Sequence, residues 1–358
     1  MNNDKDFLKG RGAQSKVHNR FFEHQHEVLD DFLEYCLKEG EQADKNKTLY
    51  IDVFPKTIVN KVTSPDVGMM YSMNPYQGCE HGCIYCYARN SHEYWGYGPG
   101  LDFERRILVK KDAPKLLEAK LKHKSWKAQT IVMSGNTDCY QPAEKKFEIT
   151  RKCLEVFLKY KHPVGIITKN ALIQRDLDIL RALGKDNLIA VNISITSLSE
   201  KTRRILEPRT ATIKRRLQTV KMLSENGIPV NAMLAPIIPG INSHEILSLA
   251  KAVSERGASS CAFTVVRLNG SIGKIFSEWI KATMPDRAEK VLNQIAACHG
   301  GSLNDSRFGL RNRGEGKIAE QIHQLMALAQ KKFFSDKGRT SLNTSLHEVY
   351  KGGQMKLF

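Results

Sequence analysis

The 358-residue sequence contains no run of apolar residues long enough to cross a bilayer, and its first residues have no apolar signal-peptide core. The absence of both features predicts a cytosolic protein with no membrane partner. Most of the chain also lacks clustered cysteines. In a cytosolic protein, scattered cysteines argue for free thiols or metal ligands rather than a disulfide framework. The five scattered cysteines are Cys36, Cys139, Cys153, Cys261 and Cys298.

Acidic residues are few relative to basic ones. The sequence has 38 Asp and Glu residues against 55 Lys and Arg residues, which gives a formal net charge of +17. A field of this sign attracts polyanions, so nucleic acid is the first partner to consider. Apolar residues make up 41% of the chain, enough for a sizeable core. The length suits one barrel-sized domain with appendages.

The other three cysteines lie close together. Cys79, Cys83 and Cys86 have a C-x3-C-x2-C spacing, so their thiolates can converge in one tight loop. Three thiolates suit either zinc or an iron–sulfur cluster. A finger-type zinc site normally brings two ligand pairs and no second pair lies nearby, although a zinc-clamped loop stays the alternative. Since a four-iron cluster accepts three protein ligands when another molecule binds its fourth iron, the spacing favours a [4Fe–4S] cluster with one open iron.

This loop resembles the signature of radical S-adenosylmethionine (radical SAM) enzymes, in which an aromatic residue, here Tyr85, precedes the third cysteine. The wider stretch over residues 74–104, NPYQGCEHGCIYCYARNSHEYWGYGPGLDFE, is similar to the DNA-repair photolyase-like group, relatives of spore photoproduct lyase. The resemblance implies a [4Fe–4S] cluster and SAM as cofactors, and SAM cleavage to a 5′-deoxyadenosyl radical. It also implies an electron donor of the flavodoxin or ferredoxin type.

Strand-like and helix-like stretches alternate after the cysteines. Near-continuous apolar strands between helices indicate a parallel sheet, and we count about six βα units. This α/β pattern is short of a closed eight-stranded barrel and matches the partial (βα)6 TIM-type barrel that the resemblance implies. We predict four regions. They are a basic arm followed by an acidic helix (1–66), the radical SAM partial barrel (67–270), a C-terminal helical region (271–340) and a flexible tail (341–358).

The loops that follow strand C-termini should line the mouth of such a barrel. By the resemblance, residues 134–142 hold the amino group of SAM. The predicted contacts there are Gly135, Asn136, Thr137 and Asp138. Lys169, at the end of the third strand, and Ser194, in the fourth, match a lysine and a serine that contact the methionyl part of SAM in photolyase-like relatives. Arg209 is a further candidate, and strand-end capping is the alternative role for each residue.

Two other features bear on the substrate. Cys139 lies in the predicted SAM segment, and because spore photoproduct lyase uses a cysteine as hydrogen donor, Cys139 is a candidate for that role; the alternative is a passive, half-buried thiol. Further along, Arg307, Arg311 and Arg313 with Phe308 interleaved form a Gly-rich loop. Such a loop suits phosphate and base contacts, or else it is a loop of solvated charges.

These features predict a radical SAM enzyme that acts on nucleic acid, with DNA favoured and a crosslinked pyrimidine lesion as the expected substrate. Two alternatives stay open. The first is a radical SAM enzyme that modifies a protein or a small metabolite. The second is a nucleic-acid-binding module that uses its cluster without catalysis.

The last five residues, QMKLF, resemble the short motif that binds the bacterial sliding clamp. Leu357 and Phe358 would be apolar anchors, Met355 would fill an adjoining groove, and Gln354 would hydrogen-bond at its rim. The sequence therefore predicts the sliding clamp as a second partner. A tail folded back on its own helices is the alternative.

Overall fold

Six parallel strands form the centre of the structure. The computed structural model describes residues 8–22, 47–336 and 341–351. In chain order the strands are β1 (Leu49–Asp52), β2 (Val59–Lys61), β3 (Tyr71–Met73), β4 (Tyr76–Gln77), β5 (Arg106–Val109), β6 (Ile131–Met133), β7 (Val164–Thr168), β8 (Ile189–Ser194), β9 (Val230–Met233) and β10 (Ser260–Ala262). In the main sheet the order is β10-β9-β8-β7-β6-β3-β2; the six strands from β10 to β3 are parallel to one another, and β2 is antiparallel to β3.

Helices connect these strands. They are α1 (Leu101–Arg105), α2 (Ala113–Lys122), α3 (Glu144–Phe147), α4 (Ile149–Lys159), α5 (Leu177–Lys185), α6 (Glu200–Leu206), α7 (Ile213–Glu225), α8 (Ile246–Ser254), α9 (Ser271–Thr283), α10 (Pro285–Ala297), α11 (Gly316–Phe334) and α12 (Ser345–Lys351), with 3-10 helices at Tyr87–Trp95, Ala171–Asp176 and Ser243–Glu245. The predicted six βα units are confirmed. In the described residues the sheet is open, with β2 and β10 as its edges.

The carboxyl ends of the parallel strands meet at one edge of the sheet. Met73 pairs with Met133, and Ser194 pairs with Met233, so these four residues mark the ends of β3, β6, β8 and β9. Buried apolar residues on every central strand fix the register, because a one-residue slip would turn the core face outward. Loops that leave this edge converge on a single cavity, as expected for a βα barrel.

A second sheet positions the cysteine-bearing loop. Its order is β1-β5-β4, with β5 parallel to β1 and antiparallel to β4. Tyr76 in β4 pairs with Val109, and Gln77 pairs with Leu108. Since β4 ends two residues before Cys79, this small sheet fixes where the loop begins.

The N-terminal segment is packed, so the prediction of an unpacked arm is wrong for residues 8–20. Arg11, Gly12 and Ala13 are buried. The backbone N–H groups of Gly12 and Ala13 donate to the carboxylate of Glu104 at 3.1 and 2.8 Å. Because backbone N–H groups make these contacts, the polarity of the side chains in this segment does not predict them.

Gly12 also touches the cysteine-bearing loop. A Cβ atom at Gly12 would lie 1.8 Å from the carbonyl oxygen of Gly82, so no larger residue fits without movement of the backbone. Residues 23–38 of the predicted acidic helix, with Cys36, lie outside the described residues.

The C-terminal region differs from its prediction in one place. Within the predicted helical region, Pro285 separates α9 from α10, since proline lacks the N–H that an uninterrupted helix needs. Residues 345–351, predicted as part of a flexible tail, form α12 instead. His347 in α12 is fully buried, and its Nδ1 lies 2.7 Å from the carbonyl oxygen of Tyr160. The predicted clamp-binding residues 354–358 lie outside the described residues.

Helices α9 and α10 share a buried core with the cysteine-bearing loop, in which Ile84 and Tyr85 pack with Phe276 and Trp279.

The boundaries of the four predicted regions stay a prediction. Within the described part of the chain, no helix has both the length and the apolar character needed to cross a membrane.

Glu104 should be essential for stability. Its carboxylate pairs with Arg89, and both side chains are inaccessible to solvent. Glu104→Gln would leave the Arg89 guanidinium buried without a counter-charge, and removal of one partner of such a pair costs about 3–5 kcal/mol. We expect a clear fall in the midpoint of chemical denaturation. Glu255→Gln, which removes an exposed partner of Lys251, is the matched control and should change stability by at most about 1 kcal/mol. Equal effects of the two changes would contradict this account.

Candidate active site

The cysteine loop, residues 78–86, bends at two glycines. Gly78 and Gly82 have φ angles of +79° and +67°, in the left-handed region that favours glycine. A Cβ atom at Gly82 would lie 2.8 Å from Oε2 of Glu104. Behind the bend, Arg89 donates from Nε and Nη2 to the carbonyl oxygen of Cys83 at 3.1 and 3.0 Å. The turn is therefore fixed from inside the protein.

The three thiols of this loop border one cavity of about 440 Å³. Cys79 and Cys83 are each only 7% exposed. Burial raises the pKa of all three thiols, although Arg89 and a backbone hydrogen bond from Ala88 oppose the rise at Cys86. Because a bound metal deprotonates its thiol ligands, three thiols of this kind at one cavity wall are the donor set that a soft metal centre requires. The residues present therefore fit an iron–sulfur cluster.

Tyr85 connects the loop to a buried charged group. Its hydroxyl donates to Glu207, which also accepts from Thr196 at 2.9 Å and from Arg216 at 2.5 Å. Burial is the main cause that raises the pKa of Tyr85, so its hydroxyl stays a donor. For Glu207, burial alone would raise the pKa, but Arg216 and Lys169 lower it to about 2. Glu207 is thus ionised and adds negative charge beside the thiols.

The predicted SAM segment lies next to the cysteine loop. Gly135, Asn136 and Asp138 all line the cavity. The side-chain oxygen of Asn74 accepts from the backbone N–H groups of Asn136 and Thr137 at 2.9 and 3.2 Å, which holds the segment against the end of β3. Thr137 itself does not reach the cavity: it is 1% exposed and donates to the carbonyl oxygen of Tyr76 at 2.6 Å.

Asp138 joins the cysteine loop to the end of β7. One carboxylate oxygen lies 3.3 Å from Nδ1 of His81 and accepts from the backbone N–H of Lys169 at 2.8 Å. The other accepts from the hydroxyl of Thr168 at 2.8 Å. Burial alone would raise the pKa of Asp138, but His81 and the backbone hydrogen bond from Lys169 lower it to about 2. It is therefore a carboxylate that holds three elements together.

Lys169 and Ser194 line the same cavity, as the sequence predicts. Burial would lower the pKa of Lys169, but Cys83 and Glu207 raise it. Lys169 therefore contributes a positive charge beside the sulfur atoms. Ser194 is 3% exposed at the end of β8, and its carbonyl oxygen accepts from Arg216 at 3.0 Å.

Two predicted residues lie elsewhere. Arg209 does not line the cavity; its guanidinium pairs with Glu80 at 3.4 Å on another side of the cysteine loop. Cys139 is fully buried in the main core and does not line the cavity either, so the geometry does not favour its role as a hydrogen donor. Its backbone N–H donates to the hydroxyl of Ser134 at 2.8 Å, which ties Cys139 to the start of the segment.

The rim of the cavity carries residues that the sequence did not single out as cavity-lining. Arg267, Arg311 and Asn312 line the wall formed after β10 and in the Gly-rich loop. Arg267 donates to the carbonyl oxygen of Asp305 at 3.1 Å, while Arg311 lies 4.3 Å from the ring centroid of exposed Phe308. Arg267 lies five residues after the end of β10, in one of the loops that follow strand C-termini and are expected to line the mouth.

Asp66 fixes this rim. It accepts from the backbone N–H of Gly309 at 2.7 Å and also from the guanidinium of Arg311. Arg307, by contrast, is held by Asp305 and Glu315. Arg311 therefore faces the cavity, whereas Arg307 supports the loop.

Comparisons with known proteins agree with this arrangement. Residues 73–253 match the Radical SAM superfamily. An uncharacterized protein of Mycobacterium tuberculosis is 28% identical over 238 residues, covering 66% of this chain and 70% of the relative. One from Methanocaldococcus jannaschii is 29% identical over 251 residues, covering 70% and 90%.

Two solved structures share the fold. Spore photoproduct lyase complexed with dinucleoside spore photoproduct has a TM-score of 0.58 and 17% identity, with 80% of each chain covered. A mutant of that enzyme with bound AdoMet and dinucleoside spore photoproduct has a TM-score of 0.60 and 15% identity, with 86% and 92% covered. These matches confirm the predicted fold class, a partial barrel of parallel βα units.

We expect the anaerobically reconstituted protein to hold one cluster through its three loop cysteines. The wild type should contain about four irons and four sulfides per chain. Alanine at Cys79, Cys83 or Cys86 should abolish SAM cleavage and sharply lower iron content. Cys298→Ala, a buried cysteine outside the cavity, is the matched control and should keep both. A triple alanine variant that retains the iron, or zinc as the only metal in active preparations, would refute this assignment.

Proposed function

Because the chain belongs to the radical SAM superfamily, we propose that it is a repair lyase that acts on damaged DNA by SAM-dependent radical chemistry. The cofactors of this superfamily are a [4Fe–4S] cluster and SAM. When bound, they supply one-electron cleavage of a C–S bond, which makes removal of hydrogen from an unactivated C–H bond possible. The cavity in which the thiols, the SAM segment and the cationic rim converge is the observation that carries the proposal.

Cys79, Cys83 and Cys86 would hold three irons of the cluster. The buried pair behind the loop keeps their backbone in place. Tyr85 fixes the loop on its inner side through Glu207. An electron donor of the flavodoxin or ferredoxin type would supply the reducing electron.

Gly135, Asn136 and Asp138 would form the edge of the SAM site, with Lys169 and Ser194 on the adjoining strands. The ammonium group of Lys169 would attract the carboxylate of SAM, because it lines the cavity and is kept charged by its neighbours. The backbone of Gly135 lies at the wall; a Cβ atom there would lie 2.3 Å from the hydroxyl of Ser72. Ordered packing on this side would exclude water from the reaction.

Three observations support a nucleic-acid substrate. The chain carries a formal net charge of +17. Arg267 and Arg311 lie at the cavity rim, where they would bind phosphate groups flanking a lesion. Exposed Phe308, at 62% exposure and stacked with Arg311, offers a surface for a base. The spore photoproduct lyase structures with the similar fold contain a dinucleoside lesion, and we extend that class of substrate to this chain.

Anaerobic incubation with dithionite, SAM and DNA tests the proposal. Ultraviolet-irradiated DNA should raise the rate of 5′-deoxyadenosine release well above the rate with undamaged DNA, and the lesion content should fall. A protein that cleaves SAM equally with and without damaged DNA would favour a protein or metabolite substrate. A protein that binds DNA but releases no 5′-deoxyadenosine would be a binding module, and the proposal would be rejected.

Arg267 should contribute to substrate binding. Arg267→Gln removes a cation from the rim, so the KM for damaged DNA should rise by about 10-fold, as expected for a lost phosphate contact worth 1–2 kcal/mol. The salt dependence of binding should become shallower. Arg313→Gln is the matched control, because Arg313 is exposed in the neighbouring Gly-rich loop but does not line the cavity. Equal KM changes for both variants would show that the effect is one of overall charge.

A further inference from the structure

A second cavity of about 340 Å³ lies between the loop after β9 and helices α10 and α11. This volume falls in the range of about 300–1,000 Å³ typical of ligand pockets. The same loop separates the two cavities: Ala235 and Pro236 line the cysteine cavity, whereas Pro239 and Gly240 line the second one. The second cavity therefore adjoins the proposed active site but shares no lining residue with it.

The polar groups of this cavity are cationic or neutral. Arg287 and Lys290 lie one turn apart on α10, and His244 faces them from the loop. Among the described residues no aspartate or glutamate lines the cavity, and neither Arg287 nor Lys290 has an ion-pair partner. Glu245, which does not line the cavity, lies 3.9 Å from Nε2 of His244 and also accepts from Ser197 at 2.7 Å and from the backbone N–H of Leu198. The cavity therefore attracts an anion.

Gln294 adds a specific acceptor. Its Oε1 is buried and has no hydrogen-bond partner within the described part of the chain. An unpaired buried acceptor costs about 1–3 kcal/mol, which a bound N–H or O–H donor would offset. Gly240, at a φ angle of +77°, allows the loop to approach this amide; a Cβ atom there would lie 2.6 Å from Oε1. The amide is thus enclosed by a loop that only glycine permits.

Apolar side chains line much of the rest of the cavity, beside Gln321 of α11. They are Val291 on α10 and Ile318, Ile322 and Leu325 on α11. The cavity therefore combines an anion-attracting side, one unpaired acceptor and an apolar surface. A ligand that matches all three has an anionic group, a hydrogen-bond donor and a flat apolar body, which are the parts of a nucleoside phosphate.

We propose that this cavity binds a nucleoside phosphate, either as a free nucleotide or as one unit of a nucleic-acid strand. Arg287 and Lys290 hold the phosphate, Gln294 accepts from the base or the sugar, and the apolar wall covers the base. The inference goes beyond the proposed function, because binding here requires neither the cluster nor SAM. If the bound unit belongs to a DNA strand, the strand continues from this cavity towards the lesion site.

Calorimetric titration of the full-length protein with thymidine 5′-monophosphate tests the proposal, and thymidine serves as the ligand that lacks the phosphate. A pyrimidine probe avoids the adenosine-binding SAM site. We expect the monophosphate to bind at least 10-fold more tightly than thymidine. The double variant Arg287→Gln/Lys290→Gln should lose at least 10-fold in affinity, and Gln294→Leu should lose several-fold.

Lys281→Gln/Lys331→Gln is the control with the same loss of charge, since both lysines are exposed and neither lines the cavity. A single-stranded oligothymidylate distinguishes the two sources of the ligand. Equal loss for monophosphate and oligonucleotide in the Arg287/Lys290 variant indicates a strand unit, and loss for the monophosphate alone indicates a free nucleotide; both outcomes support the site.

The proposal is overturned if the monophosphate does not bind at millimolar concentration, if thymidine binds equally well, if the control loses as much affinity as the cavity variant, or if a poly-glutamate peptide displaces the monophosphate from the cavity. The two proposals fail separately. Nucleotide binding without lesion-dependent 5′-deoxyadenosine release contradicts only the proposed function, and lesion-dependent release without nucleotide binding contradicts only this inference.

Discussion

The buried ion pair between Arg89 and Glu104 fixes the cysteine loop. Neither side chain is accessible to solvent, so the cost of dehydrating both charges must be offset by their hydrogen bonds. Arg89 holds the carbonyl oxygen of Cys83, and Glu104 accepts from Gly12 and Ala13. The pair thereby joins the N-terminal segment to the loop, which presents three thiols to one cavity.

Asp138 extends this constraint to the sheet. Its contacts with His81, Thr168 and Lys169 tie the cysteine loop and the SAM segment to the end of β7. Because the carboxylate is buried and has a pKa lowered to about 2, it keeps its charge at neutral pH. The relative position of the thiols and the cationic Lys169 is thus set by buried polar contacts as well as by apolar packing.

The sequence predicts those parts of the site that short-range patterns encode. The spacing of the cysteines places all three at one cavity, and apolar runs that alternate with helices define the parallel strands. Long-range contacts are not encoded in this way. Thr137 and Cys139 share a segment with Gly135, but side-chain direction turns them inward. Arg209 is drawn away by Glu80, 129 residues earlier in the chain. The order of polar and apolar residues likewise does not predict that backbone N–H groups of the N-terminal segment bind Glu104.

The contact that matters most is the one between SAM and the fourth iron of a cluster that three thiolates would hold in this cavity. Electron–nuclear double resonance on the reduced protein, with SAM labelled by ¹⁵N at its amino group and ¹⁷O at its carboxylate, measures this contact directly. If the fourth iron binds SAM, both labelled nuclei show hyperfine coupling to the cluster. These couplings disappear when unlabelled SAM is used. A reduced cluster that shows no coupling to either nucleus at saturating SAM would contradict it.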